Sequence, residues 1–384
     1  MANQSDLKQL NKSRILAHIR ATAAQSRAAI ADALSLDRKS ITNLVSELIA
    51  ADWLCEVGTQ VKRRGRPGTL LALDREKHLF LGLHLSENLV QGVLINLHGE
   101  ILSQQSRSFA LPAGLEDIKD CLLQVYRRLS ADLAVAPGAI GLVLPGVLDF
   151  EAGRILRSVN LPALDGLAPQ LLLPETLPLP LFIEESSRAK ALAELWFGLG
   201  RKQASFVAID LGIGIGAGIV AERRLHGGSY AGEIGHVQIE PEGRTCACGN
   251  RGCLEAYVSE QRLCQELSRV LPHTLHSLRE LQTEQLNAEA LALLQEAGHS
   301  LGRGLAPLVN ILCPPLLVLH GNLTRFDKVL MPALTQGLQE AALPSCLNRV
   351  RLEISQFGAE AAALGAAAIP FEQIFSLDNG FGML

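Results

Sequence analysis

Apolar residues at Leu7, Leu10, Ile15, Leu16 and Ile19 recur at roughly helical spacing, which predicts a first helix over about residues 5–22. Ser26 then gives a start signal: its hydroxyl can cap a short helix over about residues 27–34, and Ser35-Leu36-Asp37 makes a turn. Asp37 can cap a third helix, in which Ile41, Leu44, Val45, Leu48 and Ile49 form one apolar stripe. Arg38, Lys39, Thr42, Asn43 and Ser46 fall on its opposite face. The period then changes. Trp53 to Val57 and Thr69 to Leu73 are short apolar runs either side of the glycine-bounded segment 58–68, and they predict a β-hairpin. From about Asp74 the pattern is that of an α/β body. Residues 78–96 alternate like two paired strands, and residues 138–148 read as a third. Residues 161–181, rich in Pro and Leu, read as a connection with one short helix. Helices are predicted at 189–197 and 358–369, and the stretch 256–312 is helical in pattern throughout.

Two short helices joined by a tight turn, the second presenting small polar and basic groups, match a helix-turn-helix whose second helix reads the major groove of DNA. The polar face of that helix is short of acids, holding only Glu47 near its end, as a phosphate-facing surface requires. The hairpin tip carries Lys62-Arg63-Arg64-Gly65-Arg66-Pro67-Gly68. With no bulk between the guanidinium groups, Arg64, Gly65 and Arg66 can lie in a narrow A·T-rich minor groove, where the negative potential is strongest. Each feature alone also fits an ordinary surface helix or a solvated loop. Charge favours the DNA reading: residues 1–70 hold 11 Lys and Arg against 6 Asp and Glu, a balance of +5, so the overall −4 leaves −9 on the remainder.

At 384 residues the chain is long enough for two or three domains with their own cores. Aromatics are few while alanine and leucine abound, which favours a helix-rich α/β protein. No run of eighteen uncharged apolar residues and no signal-peptide pattern is present, so a cytoplasmic protein with no membrane span is expected. Its eight cysteines fit a reducing compartment, with Cys55, Cys121, Cys264, Cys313 and Cys346 read as scattered, reduced core residues.

The other three cysteines stand together in the run Gly232 to Glu255, GEIGHVQIEPEGRTCACGNRGCLE. Cys246, Cys248 and Cys253 lie in a C-x-C-G-x-x-G-C pattern, ten residues after His236. Three thiolates and an imidazole suit one tetrahedral Zn²⁺, and the lack of a fifth ligand points to a closed structural site, one ion per chain. Gly249 and Gly252 let the backbone curl between the thiolates, because glycine takes positive φ without a steric penalty.

This run, with Gly232-Glu233-Ile234-Gly235-His236 preceding it, resembles the ROK family (repressors, open reading frames and sugar kinases). The resemblance implies a two-lobed, actin-like (ribonuclease H-like) sugar kinase fold with a zinc clip. It also implies that Glu233, His236 and Glu255 face sugar hydroxyls, with Asn160 of the Asn-Leu-Pro turn a further sugar-facing residue. The front end is similar to the winged helix-turn-helix of the family's repressors, which its kinases lack. The expected domains are a DNA-binding winged helix-turn-helix over residues 1–74, a first lobe over 75–185 and a second lobe with the zinc site over 186–384.

Against the kinase pattern the chain departs at several positions. A family kinase carries Asn-Asp after the strand Leu181-Phe182-Ile183, the aspartate being the base that deprotonates the sugar; here Glu185 and Ser186 match, and a serine cannot act as that base near neutral pH. The first phosphate turn reads His84-Leu85-Ser86-Glu87-Asn88, without its glycine pair. The second turn, Asp210 to Gly218, keeps its glycines but has Ile213 in place of a threonine, and His320 replaces one of two glycines at the turn that would carry adenosine. The resemblance therefore implies a sugar-responsive repressor, not an enzyme, that takes double-stranded DNA and a sugar or sugar phosphate and forms a homodimer or higher homo-oligomer. Two alternatives stay open: an active ATP-dependent sugar kinase with a DNA-binding arm, using Glu184 or Glu185 as base, and a regulator that answers to another protein.

Overall fold

The computed structural model describes residues 4–60, 68–158, 160–177, 179–228 and 231–375. The chain divides into two compact units, Met1–Gly146 with Arg154–Glu184 and Ala366–Leu384, and Val147–Gly153 with Glu185–Gly365.

The first unit begins with three helices, Gln4–Thr22, Arg27–Leu34 and Arg38–Ala50. Both expected caps form. The Ser26 hydroxyl accepts from the Ala29 amide at 3.3 Å, and the Asp37 carboxylate from the Ser40 amide at 2.8 Å. The strands Leu54–Gln60 and Gly68–Leu73 pair antiparallel as the two apolar runs predict. A third, unpredicted strand of two residues, Gln25–Ser26, pairs with Leu70 and Leu71 and ties the hairpin to the helices. Ile15, Leu16, Ile19, Ile30, Ile41, Val45, Leu48 and Leu71 fill the space between them.

The same unit holds a five-stranded sheet in the order Leu181–Glu185, Ala139–Leu144, Leu79–Leu85, Leu89–Asn96, Ile101–Ser108. The predicted pair over 78–96 is its antiparallel hairpin, and Ala139–Leu144 runs parallel to Leu79–Leu85. The helix Leu115–Ser130 covers the sheet through Ile118, Leu122, Val125 and Leu129. The connection after Asn160 contains two short 3-10 turns, Pro162–Leu164 and Pro169–Leu172, where one short helix was expected.

The second unit repeats the arrangement. Its sheet runs Arg224–Leu225, Ile215–Ala221, Phe206–Leu211, Leu316–His320, Arg351–Ile354, again a hairpin with parallel strands added beside its first strand. No sequence repeat accompanies this repeated topology. The helix predicted at 189–197 starts earlier, at Ser186, and the C-terminal helix runs Ala361–Phe375. The continuous helix expected over 256–312 is corrected. Helices Glu255–Val258 and Glu260–Val270 are followed by short 3-10 turns before the long helix Ala288–Leu312. Leu271, Leu275, Leu278 and Leu281 keep a nearly helical spacing and are all buried, yet Pro272 follows the helix end and the backbone reaches the core by turns instead.

Candidate functional site

In the second unit, the loop between the short 3-10 turn Ile234–His236 and the helix Glu255–Val258 is held by isolated bridges pairing Gln238 with Cys253 and Thr245 with Arg251. Gly249 and Gly252 take φ of +98° and +73°, as the tight curl between thiolates requires. A side chain at Gly252 would place its Cβ 1.6 Å from the Glu240 carbonyl oxygen, so the curl is sterically fixed. Tyr257 buttresses it from behind: its hydroxyl donates to Glu240 at 2.7 Å and accepts from the Arg244 amide at 2.9 Å. Fully buried Leu254 packs against Gly304 of the long helix and anchors the loop to the core.

This scaffold brings one ligand atom from each of His236, Cys246, Cys248 and Cys253 within 4.8 Å of the others. His236 Nδ1 lies 3.7 Å from Cys246 Sγ, and the sulfurs of Cys248 and Cys253 are 3.8 Å apart. Zinc bonds of 2.0–2.3 Å put tetrahedral neighbours about 3.5–3.8 Å from one another, so the four residues fit such an ion. Burial pushes the Cys253 thiol up to about 12 and raises Cys246 as well. At Cys248 burial acts the same way but is outweighed by the Asn250 amide and the neighbouring thiols, which draw it down. Three adjacent sulfurs cannot all ionise unaided, and a bound cation is what permits it.

Around the cluster, exposed Glu233 places Oε2 3.8 Å from Nε2 of His236, the nitrogen turned away from the thiols. Glu255 takes a different path. Its Oε2 accepts from the Ile215 amide at 3.1 Å, on the glycine turn that joins the first two strands of this sheet. Asn160 is exposed and lies in the first unit.

The surroundings of that turn are already occupied by protein charges. Asp210 pairs with Lys190 at 2.6 Å. His320, beside Asp210 in the strand register, lies 3.2 Å from Glu194, and both side chains are essentially inaccessible. Glu194 also accepts from the Leu199 amide at 2.7 Å and the Ser355 hydroxyl at 2.5 Å. Burial works against its charge, yet the His320, Ser355 and Leu199 contacts hold its carboxyl below the usual value of 4.5. Lys190 and Glu194 are one helical turn apart in Ser186–Phe197, so a single helix supplies partners to two adjacent strands. Sequence reading noted His320 as a lost glycine but missed this network; an ionisable residue among the alanines and leucines of a buried helix was the available signal. Glu185 serves as the N-cap of the same helix, accepting from the amides of Ser187 and Arg188.

In the first unit, Arg38, Lys39, Thr42, Asn43 and Ser46 are all exposed along one face of Arg38–Ala50, while Ile41, Leu44, Val45 and Leu48 are buried. Glu47 is drawn off that face into ion pairs with Lys8 at 2.7 Å and Lys12 at 3.2 Å. The hydroxyls of Thr42 and Ser46 donate to carbonyls one turn back and keep their lone pairs free to accept. Arg64, Gly65 and Arg66 lie outside the described residues. Of the cysteines read as core, Cys121 and Cys264 are buried, whereas Cys55, Cys313 and Cys346 are partly exposed.

Comparison with known proteins places this geometry. The sequence profile of the ROK family matches residues 81–372. The xylose repressor of Caldicellulosiruptor bescii is 26% identical, the match covering 98% of this chain and 99% of the repressor. Among solved structures, a ROK family transcriptional regulator homologous to the E. coli MLC protein superposes with a TM-score of 0.81 at 28% identity, covering 98% of each chain. A ROK hexokinase from Thermus thermophilus gives a TM-score of 0.62 at 29% identity, covering 76% of this chain and 97% of its own. With its two like-ordered sheets and a profile match over most of its length, the chain belongs to the ROK family.

Proposed function

We propose that this protein is a sugar-responsive transcriptional repressor whose kinase-like body senses a sugar or sugar phosphate and does not phosphorylate it. The observation that carries the reading is one of coverage: the regulators match the chain from end to end, whereas the kinase accounts for three quarters of it. Residues 1–74 form a winged helix-turn-helix in this reading, with Arg38, Lys39, Thr42, Asn43 and Ser46 entering the major groove and Arg64, Gly65 and Arg66 the adjacent minor groove. Residues 75–185 and 186–384 are the two lobes of the body. A homodimer reads two half-sites related by a two-fold axis. Among the described residues no helix is long and apolar enough to cross a membrane, in keeping with a cytoplasmic regulator.

His236, Cys246, Cys248 and Cys253 hold one zinc ion, which supplies a closed structural clip. His236 keeps Nε2 for a ligand, and Glu233 beside it can accept from a sugar hydroxyl. Glu255 and, in the first unit, Asn160 are further sugar-facing residues in this reading. The site's charges disfavour nucleotide. Glu255 already occupies an amide of the glycine turn that would cradle phosphate, and Lys190 is engaged by Asp210. At the base position stands Ser186, and Glu185 is committed to its cap.

The test is operator DNA selected from a random library, titrated with D-xylose, D-glucose, N-acetylglucosamine and its 6-phosphate, beside a coupled ATP assay on the same sugars. Release of DNA by one of them without turnover supports the reading. Turnover near ~1 s⁻¹, the low end for ordinary enzymes, would favour the kinase alternative.

A further inference from the structure

The residues that join the three helices to the body make contacts the proposed function has not used. Trp53, just past the third helix, stacks on His78, just before the first strand of the body sheet, with ring centroids 3.7 Å apart and planes 13° from parallel. His78 Nε2 lies 3.0 Å from the Ala51 carbonyl oxygen, so the imidazole also closes the end of the third helix. The Asp74 amide donates to the Trp53 carbonyl at 3.1 Å, and the Asp74 carboxylate accepts from the amides of Glu76 and Lys77. His98, in the turn after the second body strand, reaches the Leu73 carbonyl at 3.2 Å. At the far end of the first helix, Arg20 lies 5.3 Å from the ring centroids of both Phe371 and Phe375 in the C-terminal helix.

These contacts grip the front module at three separate places: the end of its first helix, the end of its third helix and the last strand of its hairpin. The linking segment Asp74–Lys77 is too short and too fully hydrogen-bonded to behave as a flexible tether. Between the grips runs a cleft of about 550 Å³ lined by Ile19, Arg20, Val57, Leu73, Lys77 and His98. Packing of neighbours would explain apolar contact, but it does not require an aromatic stack, a cation over two rings and two histidines each spent on a backbone carbonyl.

We propose that Trp53, His78 and Arg20 are positioning residues that hold the DNA-reading helix in one pose on the body, so that a sugar acts by moving the docked module together with the body and not by freeing a tethered module. This rests on the reading of the chain as a repressor. A dimer reading two half-sites needs its two helices at a set spacing, and only a docked module transmits a set spacing from the body.

The experiment measures fluorescence anisotropy on the selected operator, on the same operator with one to three base pairs inserted between half-sites, and on an isolated half-site. Wild type should discriminate among spacings at least tenfold. His78→Ala combined with Arg20→Gln should retain half-site affinity and zinc while discrimination falls to within threefold. His78→Phe, which keeps a ring against Trp53, should restore most of it. Unchanged discrimination in the double variant, or a wild type indifferent to spacing, overturns the proposal; a wild type that selects no DNA removes the repressor reading beneath it.

A second readout needs no junction variant. In Trp196→Phe protein the only indole is Trp53, which is 5% exposed. Its emission should stay that of a buried, stacked indole when one of the four sugars releases DNA. A shift to the emission of a solvated indole would mean undocking, and would overturn the proposal even if the double variant failed to fold.

Discussion

Replacing His320 by glycine restores the residue that resemblance to the sugar kinases implies at this turn, and it should destabilise the second unit. Glu194 has no exposed surface and has three partners, the Leu199 amide, the Ser355 hydroxyl and the His320 imidazole. Removing one partner of a buried charged group costs about 3–5 kcal/mol, because its charge is left uncompensated. The stranded carboxyl has an escape: it can take up a proton. From its usual value of 4.5, doing so at pH 7.5 costs about 4 kcal/mol at roughly 1.4 kcal/mol per unit, which sets the scale of the electrostatic loss. Glycine within a strand adds about 0.5–1 kcal/mol, and a loss near 4 kcal/mol is expected. Urea unfolding followed by Trp196, two residues along the helix from Glu194, reads that loss directly. The double change Glu194→Gln with His320→Gly should recover at least half of it, since an amide keeps an acceptor for Leu199 and discards the charge. A single variant within about 1 kcal/mol of wild type would refute the ledger, for it would mean the pair contributes nothing beyond ordinary packing.

Acidification should weaken the two units in sequence. Burial lowers His78 below its ordinary 6.5, so the unfolded chain binds that proton first, and the stability it confers is lost as pH falls through 6.5 toward the folded value. Glu194 is also lowered, from 4.5, and its contribution is lost only below that; Trp53 and Trp196 emission, read in single-tryptophan variants, should therefore change in that order. Cys248→Ser should cut bound zinc from one per chain to a small fraction and lower the melting temperature, and full occupancy by elemental analysis would reject the ligand set. Asn43→Ala should flatten base preference at one operator position, because an amide paired bidentately with adenine is worth roughly 1–3 kcal/mol of discrimination; unchanged selection profiles would move the reading helix elsewhere.

What could be read from the sequence was local. The cluster of His236, Cys246, Cys248 and Cys253 is legible because its members follow one another along a single loop and their chemistry admits few other uses. The caps at Ser26 and Asp37 are legible because a cap bonds to an amide three residues on. The strand Gln25–Ser26 escaped notice since two residues carry no period. The break between Val270 and Ala288 was hidden by leucines whose spacing imitates a helix while their burial is set by turns. Ser355 and Glu194 stand 161 residues apart, and no local pattern reports such a bond. The contact of Glu255 with the Ile215 amide, 40 residues back along the chain, depends on how a helix start meets a strand turn, which spacing alone does not fix.

The cap made by Glu185 bears on how this protein can change over generations. Both of its carboxylate oxygens are engaged, one by the Ser187 amide and one by the Arg188 amide, at the start of the helix that also carries Lys190 and Glu194. A lineage acquiring the Asn-Asp pair of the kinase pattern would need an asparagine at Glu185 and an aspartate at Ser186. An asparagine can still cap, but an aspartate arriving first would set a second carboxylate beside Glu185 at the same helix start. Losing the cap outright sacrifices about 1 kcal/mol. Asparagine first keeps the cap, whereas aspartate first passes through a less stable intermediate. The cap thus sets the order in which those two changes could arrive without a loss of stability.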